Sequence, residues 1–207
     1  RKIAFYGAIN SLAQVVLKTT SPGVPDFYQG TELWDLNLVD PDNRRPIDYQ
    51  KRIKLLDNLI LEEGRGEASL ARNLLNSWED GAVKLYTIYK ILNMRREHTD
   101  LFKEGDYIPL QIDGQRQEHI CAFSRSKDNK WTVVVVPRLL TRLVRFGTLP
   151  LGKQTWGDDL LLMPDSAPKN WSNIFTHESL HASAPGNCLP VSQIFYTFPV
   201  AVLTNAN

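Results

Sequence analysis

The sequence predicts an α+β chain, with a mainly helical first half and a small antiparallel β-sandwich behind it, the two meeting near Gly105. Three observations predict this. Apolar residues recur at helical spacing through the first half. After Gly105 they fall into short segments separated by turn residues. The punctuation changes with them, from isolated caps to Asp-Asn, Gly-Asp-Asp and Ala-Pro-Gly-Asn groups. Residues 1–105 and 106–207 are therefore expected to be separate domains.

Each helix follows from a stripe. Ile9, Leu12, Ala13 and Val16 share one face of a first helix, expected to end before Thr19-Thr20-Ser21-Pro22-Gly23. Tyr49, Ile53, Leu56 and Ile60 form a second stripe, begun after Pro46 and stopped at Gly64. Leu70, Leu74, Leu75 and Trp78 form a short third one, capped by Ser69. Leu85, Ile88, Tyr89 and Leu92 form a fourth, opened by Asp80-Gly81 and closed by Arg95-Arg96, whose charges suit the negative end of a helix dipole. All four stripes are read as core faces. Strands are expected over residues 119–124, 131–136, 160–163 and 195–203, with Asp128-Asn129, Gly157-Asp158-Asp159 and residues 184–187 as turns. The run Val133-Val134-Val135-Val136 should be buried on both faces.

Composition excludes several classes of function. The 24 Lys and Arg residues against 23 Asp and Glu give a net charge of +1, and no basic tract carries interleaved aromatics, so nucleic acid is not an expected partner. No apolar run approaches the ~18 residues of a membrane span, so no membrane partner is expected and a cytoplasmic location is the default. Cys121 and Cys188 are too few for a disulfide framework and read as reduced, mostly buried thiols.

The segment most suggestive of chemistry is residues 21–46, SPGVPDFYQGTELWDLNLVDPDNRRP. Arg44 and Arg45 offer planar paired donors suited to a carboxylate or to vicinal hydroxyls. Asp35, Asp40 and Asp42 offer acceptors, and Phe27, Tyr28 and Trp34 offer flat apolar faces for a pyranose ring. Asp40-Pro41 and Asp42-Asn43 favour turns, which would fix these charges on a loop. The competing reading of the same residues is a solvated, salt-bridged turn.

One motif points elsewhere. His177-Glu178-Ser179-Leu180-His181 matches H-E-x-x-H, in which two histidines one helical turn apart bind zinc. Pro168 before it and Pro185-Gly186 after it leave little room for a helix, and no Asp, Glu or His follows His181 to act as third ligand. No metal and no cofactor are therefore expected. His98 and His119 are read as capping or surface residues, and Lys84 as solvated. There is no G-x-S-x-G elbow and no phosphate-binding glycine loop.

Residues 23–32, reading GVPDFYQGTE, resemble the eighth barrel strand of the α-amylase superfamily (glycoside hydrolase family 13), whose pattern there is roughly G-x-P-x-x-Y-x-G-x-E. Leu33-Trp34-Asp35 and residues 38–46 (LVDPDNRRP) narrow the resemblance to the trehalose-forming branch of that superfamily. Arg95-Arg96-Glu97-His98, residues 101–107 (LFKEGDY) and 133–140 (VVVVPRLL) are similar to the same branch, so the resemblance spans nearly the whole chain.

The resemblance implies that residues 1–105 are the end of a (β/α)8 TIM barrel, with strand eight at residues 24–28, and that 106–207 are the all-β terminal domain. It implies an isomerase that turns the reducing-end α-1,4 linkage of a maltooligosaccharide into an α,α-1,1 linkage by intramolecular transglucosylation. The catalytic carboxylates of such enzymes follow strands four, five and seven. None in this chain matches them, so the chain alone is expected to be inactive. The implied substrate contacts are Tyr28, Gln29, Asp40, Asp42, Asn43, Arg44 and Arg45, with Glu32 a structural carboxylate beneath the loop. Other superfamily hydrolases or transglycosidases are the alternative. A glycan-binding β module is another, favoured if Trp131, Trp156 and Trp171 lie exposed in a row; burial would favour a packing role. The implied partners are the maltooligosaccharide and the rest of the barrel, without which local disorder or self-association is expected.

Overall fold

A computed structural model describes residues 1–183 and 186–205. The first half is helical: α1 (Lys2–Thr20), α2 (Tyr49–Glu63), α3 (Glu67–Asn76), α4 (Ala82–Glu97) and α5 (Thr99–Glu104). Among the described residues nine strands follow, all in antiparallel ladders. β1 (Asp106–Pro109), β3 (Ile120–Lys127), β4 (Lys130–Pro137), β9 (Ala201–Asn205), β6 (Asn170–Asn173) and β7 (Ser179–His181) form one sheet in that spatial order. β2 (Gln111–Asp113), β5 (Leu160–Leu162) and β8 (Cys188–Pro190) form a second. Two short helices, α6 (Gly152–Trp156) and α7 (Val191–Ile194), lie between them in sequence. Among the described residues no helix is long and apolar enough to cross a membrane.

The valine run makes β4 the centre of the molecule. Side chains alternate across a strand, so Val134 and Val136 join a core with Leu12, Val16, Val83 and Tyr86 of the helices. Val133 and Val135 face the other way and share a core with Leu161, Leu189, Trp156 and Phe195. All four valines are buried, as the sequence predicts. The six-stranded sheet is thus packed on both faces, by helices on one and by the small sheet and α6–α7 on the other. The hairpin joining β3 and β4 turns on Asp128-Asn129, where Asp128 takes φ 54°, a left-handed conformation that aspartate tolerates better than most residues.

Several expectations are corrected. Residues 24–28 form no strand: they belong to no ladder, and Val24 is 94% exposed. A strand is stable only when another pairs with it, none of the described strands pairs with this segment, and Pro25 removes a donor. Helix α1 continues to Thr20, because the hydroxyls of Thr19 and Thr20 bond back to Val15 and Val16 carbonyls at 2.7 Å. Helix α3 starts at Glu67 behind Gly66 as N-cap (φ 129°), with no role for Ser69 as cap. The stripe on α2 is not a core face: Tyr49, Ile53 and Ile60 are about half exposed and only Leu59 is buried. Helix α4 is buried on more than one side, with Val83, Tyr86 and Thr87 as deep as Leu85. In the β half the strand expected over 195–203 is confined to Ala201–Asn205; Phe195 and Phe198 are buried in the turns before it. Of the six described strands of three or four residues only β5 is expected from the sequence; the other five (β1, β2, β6, β7, β8) are too short to show a clear sequence alternation. Of the turn expected at 184–187, Ala184 and Pro185 lie outside the described residues. Cys121 is half-buried and Cys188 buried.

Arg125, on β3, is 1% exposed and forms no ion pair with a carboxylate among the described residues. Its guanidinium donates to five backbone carbonyls: Asp106 (3.2 Å), Thr20 (3.4 Å), Leu101 (3.3 Å), Phe102 (3.2 Å) and Gly105 (2.8 Å). Burial, with Arg95 nearby, pushes its pKa down from the ordinary arginine value. Replacing Arg125 by Met should cost about 3 kcal/mol, since several buried acceptors lose their donor together. Urea unfolding checks this, and Arg125→Lys should recover only part of the loss because a point ammonium cannot span the same acceptors.

Candidate functional site

The loop that carries the predicted sugar contacts leaves α1 and reaches α2. Its start is held by Arg95, which donates to Thr19 O at 2.8 Å and also to Gly23 O. Its middle is held by Glu32 and Arg52. Arg52 Nε meets Glu32 Oε2 at 2.8 Å, Arg52 Nη2 donates to Gly30 O at 2.7 Å, and the Gly30 amide donates to Glu32 Oε1 at 3.3 Å. Glu32 is therefore the structural carboxylate the sequence suggests. Further on, Trp34 Nε1 donates to Trp78 O at 2.6 Å. Leu33 and Trp34 crowd Gly81, where an added Cβ would stand 3.0 Å from the Trp34 amide nitrogen. With φ 82° as well, Gly81 is a position for glycine alone.

The predicted contact residues share one loop, and the structure pairs most of them with each other. Arg44 binds Asp40, with Nη2 to Oδ2 at 2.7 Å, and Arg45 binds Asp42. Asp42 also accepts from the Leu38 amide at 2.8 Å. The peptide Asp40–Pro41 is cis. Tyr28 donates to Asn43 O at 3.4 Å, and the Asn43 Oδ1 is buried without a partner. Gln29 accepts from Tyr49 at 3.0 Å. The Arg44 and Arg45 side chains stay exposed, about 70% each. The loop is thus ordered by its own ion pairs while keeping its guanidinium faces open to solvent.

Tyr28 also borders a cleft of about 560 Å³ between α1, residues 26–31 and α4, lined with Lys18, Phe27 and Lys84. Lys84 is where sequence reasoning missed. It is 8% exposed rather than solvated, its Nζ donates to Leu33 O at 3.1 Å, and it lies 5.8 Å from the Trp34 ring centroid. The available signal was its place on the first turn of a helix whose flanking residues are all apolar. Burial first, and Lys18 second, lower its pKa.

The H-E-x-x-H residues do not lie on a helix, and their two histidines have different partners. Residues 179–181 are strand, His177 sits at φ 53° beside Glu67 (3.5 Å), and His181 turns to Asn170 (2.8 Å). Glu178 accepts from the Thr176 and Thr197 hydroxyls. Trp131, Trp156 and Trp171 are all buried, which removes the exposed aromatic row of a glycan-binding module.

No family model matches the chain. It is 33% identical over 198 residues to a curated protein of Mycobacterium tuberculosis (strain CDC 1551 / Oshkosh) named for maltooligosyl trehalose synthase, a match covering 96% of this chain and 21% of that protein. The maltooligosyltrehalose synthase structure from Arthrobacter ramosus aligns at 30% identity with a TM-score of 0.71, over 98% of this chain and 23% of that one. An α-amylase structure from Geobacillus thermoleovorans, at 15% identity and a TM-score of 0.56 over 97% of this chain and 34% of that one, shares the fold alone. The chain is thus built like a part of the α-amylase-type enzymes. Within that class the relatives it matches at 30% identity or more are maltooligosyl trehalose synthases. It spans about a fifth of the length of the curated relatives it matches.

Two outcomes check this account. Arg52→Ala should raise amide exchange and proteolysis over residues 30–48, with a change of only about 1 kcal/mol in global stability. Lys84 has a folded pKa below its unfolded 10.5, so the unfolded chain binds more protons in the window just below that value. Stability should rise with pH there, and Lys84→Met should flatten the rise in urea titrations.

Proposed function

We propose that this chain is the closing part of a maltooligosyl trehalose synthase. In this reading residues 1–105 complete a (β/α)8 barrel and 106–207 form a β-sandwich packed against it, in a cytoplasmic enzyme of trehalose formation. The observation that carries the proposal is the 33% identity sustained over 198 residues, nearly the whole chain. The whole enzyme converts the reducing-end α-1,4 linkage of a maltooligosaccharide to an α,α-1,1 linkage. Retaining chemistry of this kind uses one carboxylate as nucleophile and a second carboxyl as acid, then base. The acceptor is the released glucose, which must turn over before water attacks, so holding it matters as much as the carboxylates do.

The loop suits that holding task. Tyr28, Gln29, Asp40, Asp42, Asn43, Arg44 and Arg45 are the contacts proposed for the sugar. Arg44 and Arg45 are oriented by Asp40 and Asp42, and guanidinium groups held in this way lose less freedom on binding vicinal hydroxyls. No carboxylate here is assigned a catalytic role. The exposed Val24, Leu36, Leu38 and Val39 on the same loop support its being covered by the rest of the barrel.

The chain alone should not turn over maltopentaose. Substituted for the corresponding segment of the Arthrobacter ramosus enzyme, it should support formation of maltooligosyl trehalose. In that chimera Arg44→Ala should lower kcat/KM about tenfold. A folded but inactive chimera would count against the proposal, and an unchanged kcat/KM would remove Arg44 from the site.

A further inference from the structure

A second cleft, of about 530 Å³, lies where the C-terminal half of α4 meets the β6–β9 pair. Its position between the helical and β halves is one that ligand sites favour, and its size falls within the roughly 300–1,000 Å³ usual for them. We propose that it binds a neutral saccharide of one to two rings, at a site separate from the loop of residues 21–46.

One wall is a network already fixed. Glu63 pairs with Lys90 and accepts from Tyr89 OH at 3.1 Å. Asn93 Nδ2 donates to Tyr89 O at 2.9 Å, and its Oδ1 accepts from Arg96 Nη2 at 2.9 Å. The opposite wall holds groups with unspent capacity. Ser172 and Thr204 are register partners in adjacent strands, so their hydroxyls share one face of the sheet. Neither hydroxyl has a hydrogen-bond partner among the described residues. His98 also lines the cleft, and its Nδ1 is buried without a partner.

Charge decides the ligand class. Lys90 and Arg96 are balanced by Glu63 and Glu97 around the same space, so there is no net field to favour an anion. Donors and acceptors alternate instead, which suits hydroxyl groups that both donate and accept. Among the described residues no group of His, Cys, Asp and Glu is arranged to hold a metal ion, and the lining has too few apolar side chains for a hydrophobic ligand.

Titration of the isotopically labelled chain with maltose, followed by amide chemical shifts, tests this. Shifts should concentrate on residues 89–98, 172–177 and 204, with a dissociation constant on the order of millimolar, as expected for a small polar ligand. Arg96→Ala combined with Ser172→Ala, both away from the apolar core, should weaken binding about tenfold while leaving the spectrum otherwise native. The proposal is overturned by no shifts at saturating sugar, by shifts confined to residues 28–45, or by inorganic phosphate binding in maltose's place. The second of these results would leave the loop reading intact, and an inactive chimera would leave this cleft untouched, so the two proposals fail separately.

Discussion

The end of helix α1 is the constraint on which the rest of the structure depends. A helix leaves its last carbonyls unpaired, and burying them requires outside donors. Here the donors are two arginines from distant parts of the chain, Arg95 on Thr19 O and Arg125 on Thr20 O. Both guanidinium groups also lie near the Phe102 ring, at 5.0 and 5.8 Å from its centroid, a contact favourable to cations. Among the described residues no carboxylate hydrogen-bonds to Arg125. Its charge is met by carbonyl dipoles, including those at the negative ends of α1 and α5. One buried ion thereby fixes where the first helix stops, where the fifth stops and where β1 begins.

From that fixed end the loop of residues 21–46 sets out, and its further supports repeat the same chemistry. Arg52 and Lys84 each donate to a loop carbonyl, on Gly30 and Leu33. The loop has little core of its own, with Leu33 its only buried large apolar residue. Cations on helices α2 and α4 do for it what apolar burial does elsewhere. A polar loop can then hold defined geometry while its tip, with Arg44 and Arg45, stays in water.

How much of this the sequence reveals depends on how local each cause is. The helices, the β3–β4 hairpin at Asp128-Asn129 and the doubly buried valines are legible because spacing and turn chemistry act within a few residues. The short strands β6, β7 and β8 are not, since three or four residues carry no clear period and their pairing is decided by partners far away in the chain. Arg125 falls just beyond the strand expected over 119–124 and looks like an ordinary polar residue near a turn until α1 and α5 are placed around it. The same holds for Lys84 and for the α2 stripe, where periodicity identified the helix correctly and said nothing about what would cover Tyr49, Ile53 and Ile60. In the loop, residue types pointed to sugar chemistry, but the pairing of Asp40 with Arg44 and Asp42 with Arg45 emerged only from the geometry.

The valines of β4 carry a consequence for how this chain comes apart. Because alternate side chains of one strand complete two different cores, neither core can melt and leave the other whole. Composition divides the chain near Gly105, yet the strand that seals the helices is also the strand that seals the small sheet. Cutting the chain at the compositional boundary would therefore take β4 away from the helices and uncover one face of the large sheet, although the second core lies wholly after Gly105; in the uncut chain the helical and β parts should gain or lose order together, as one cooperative unit.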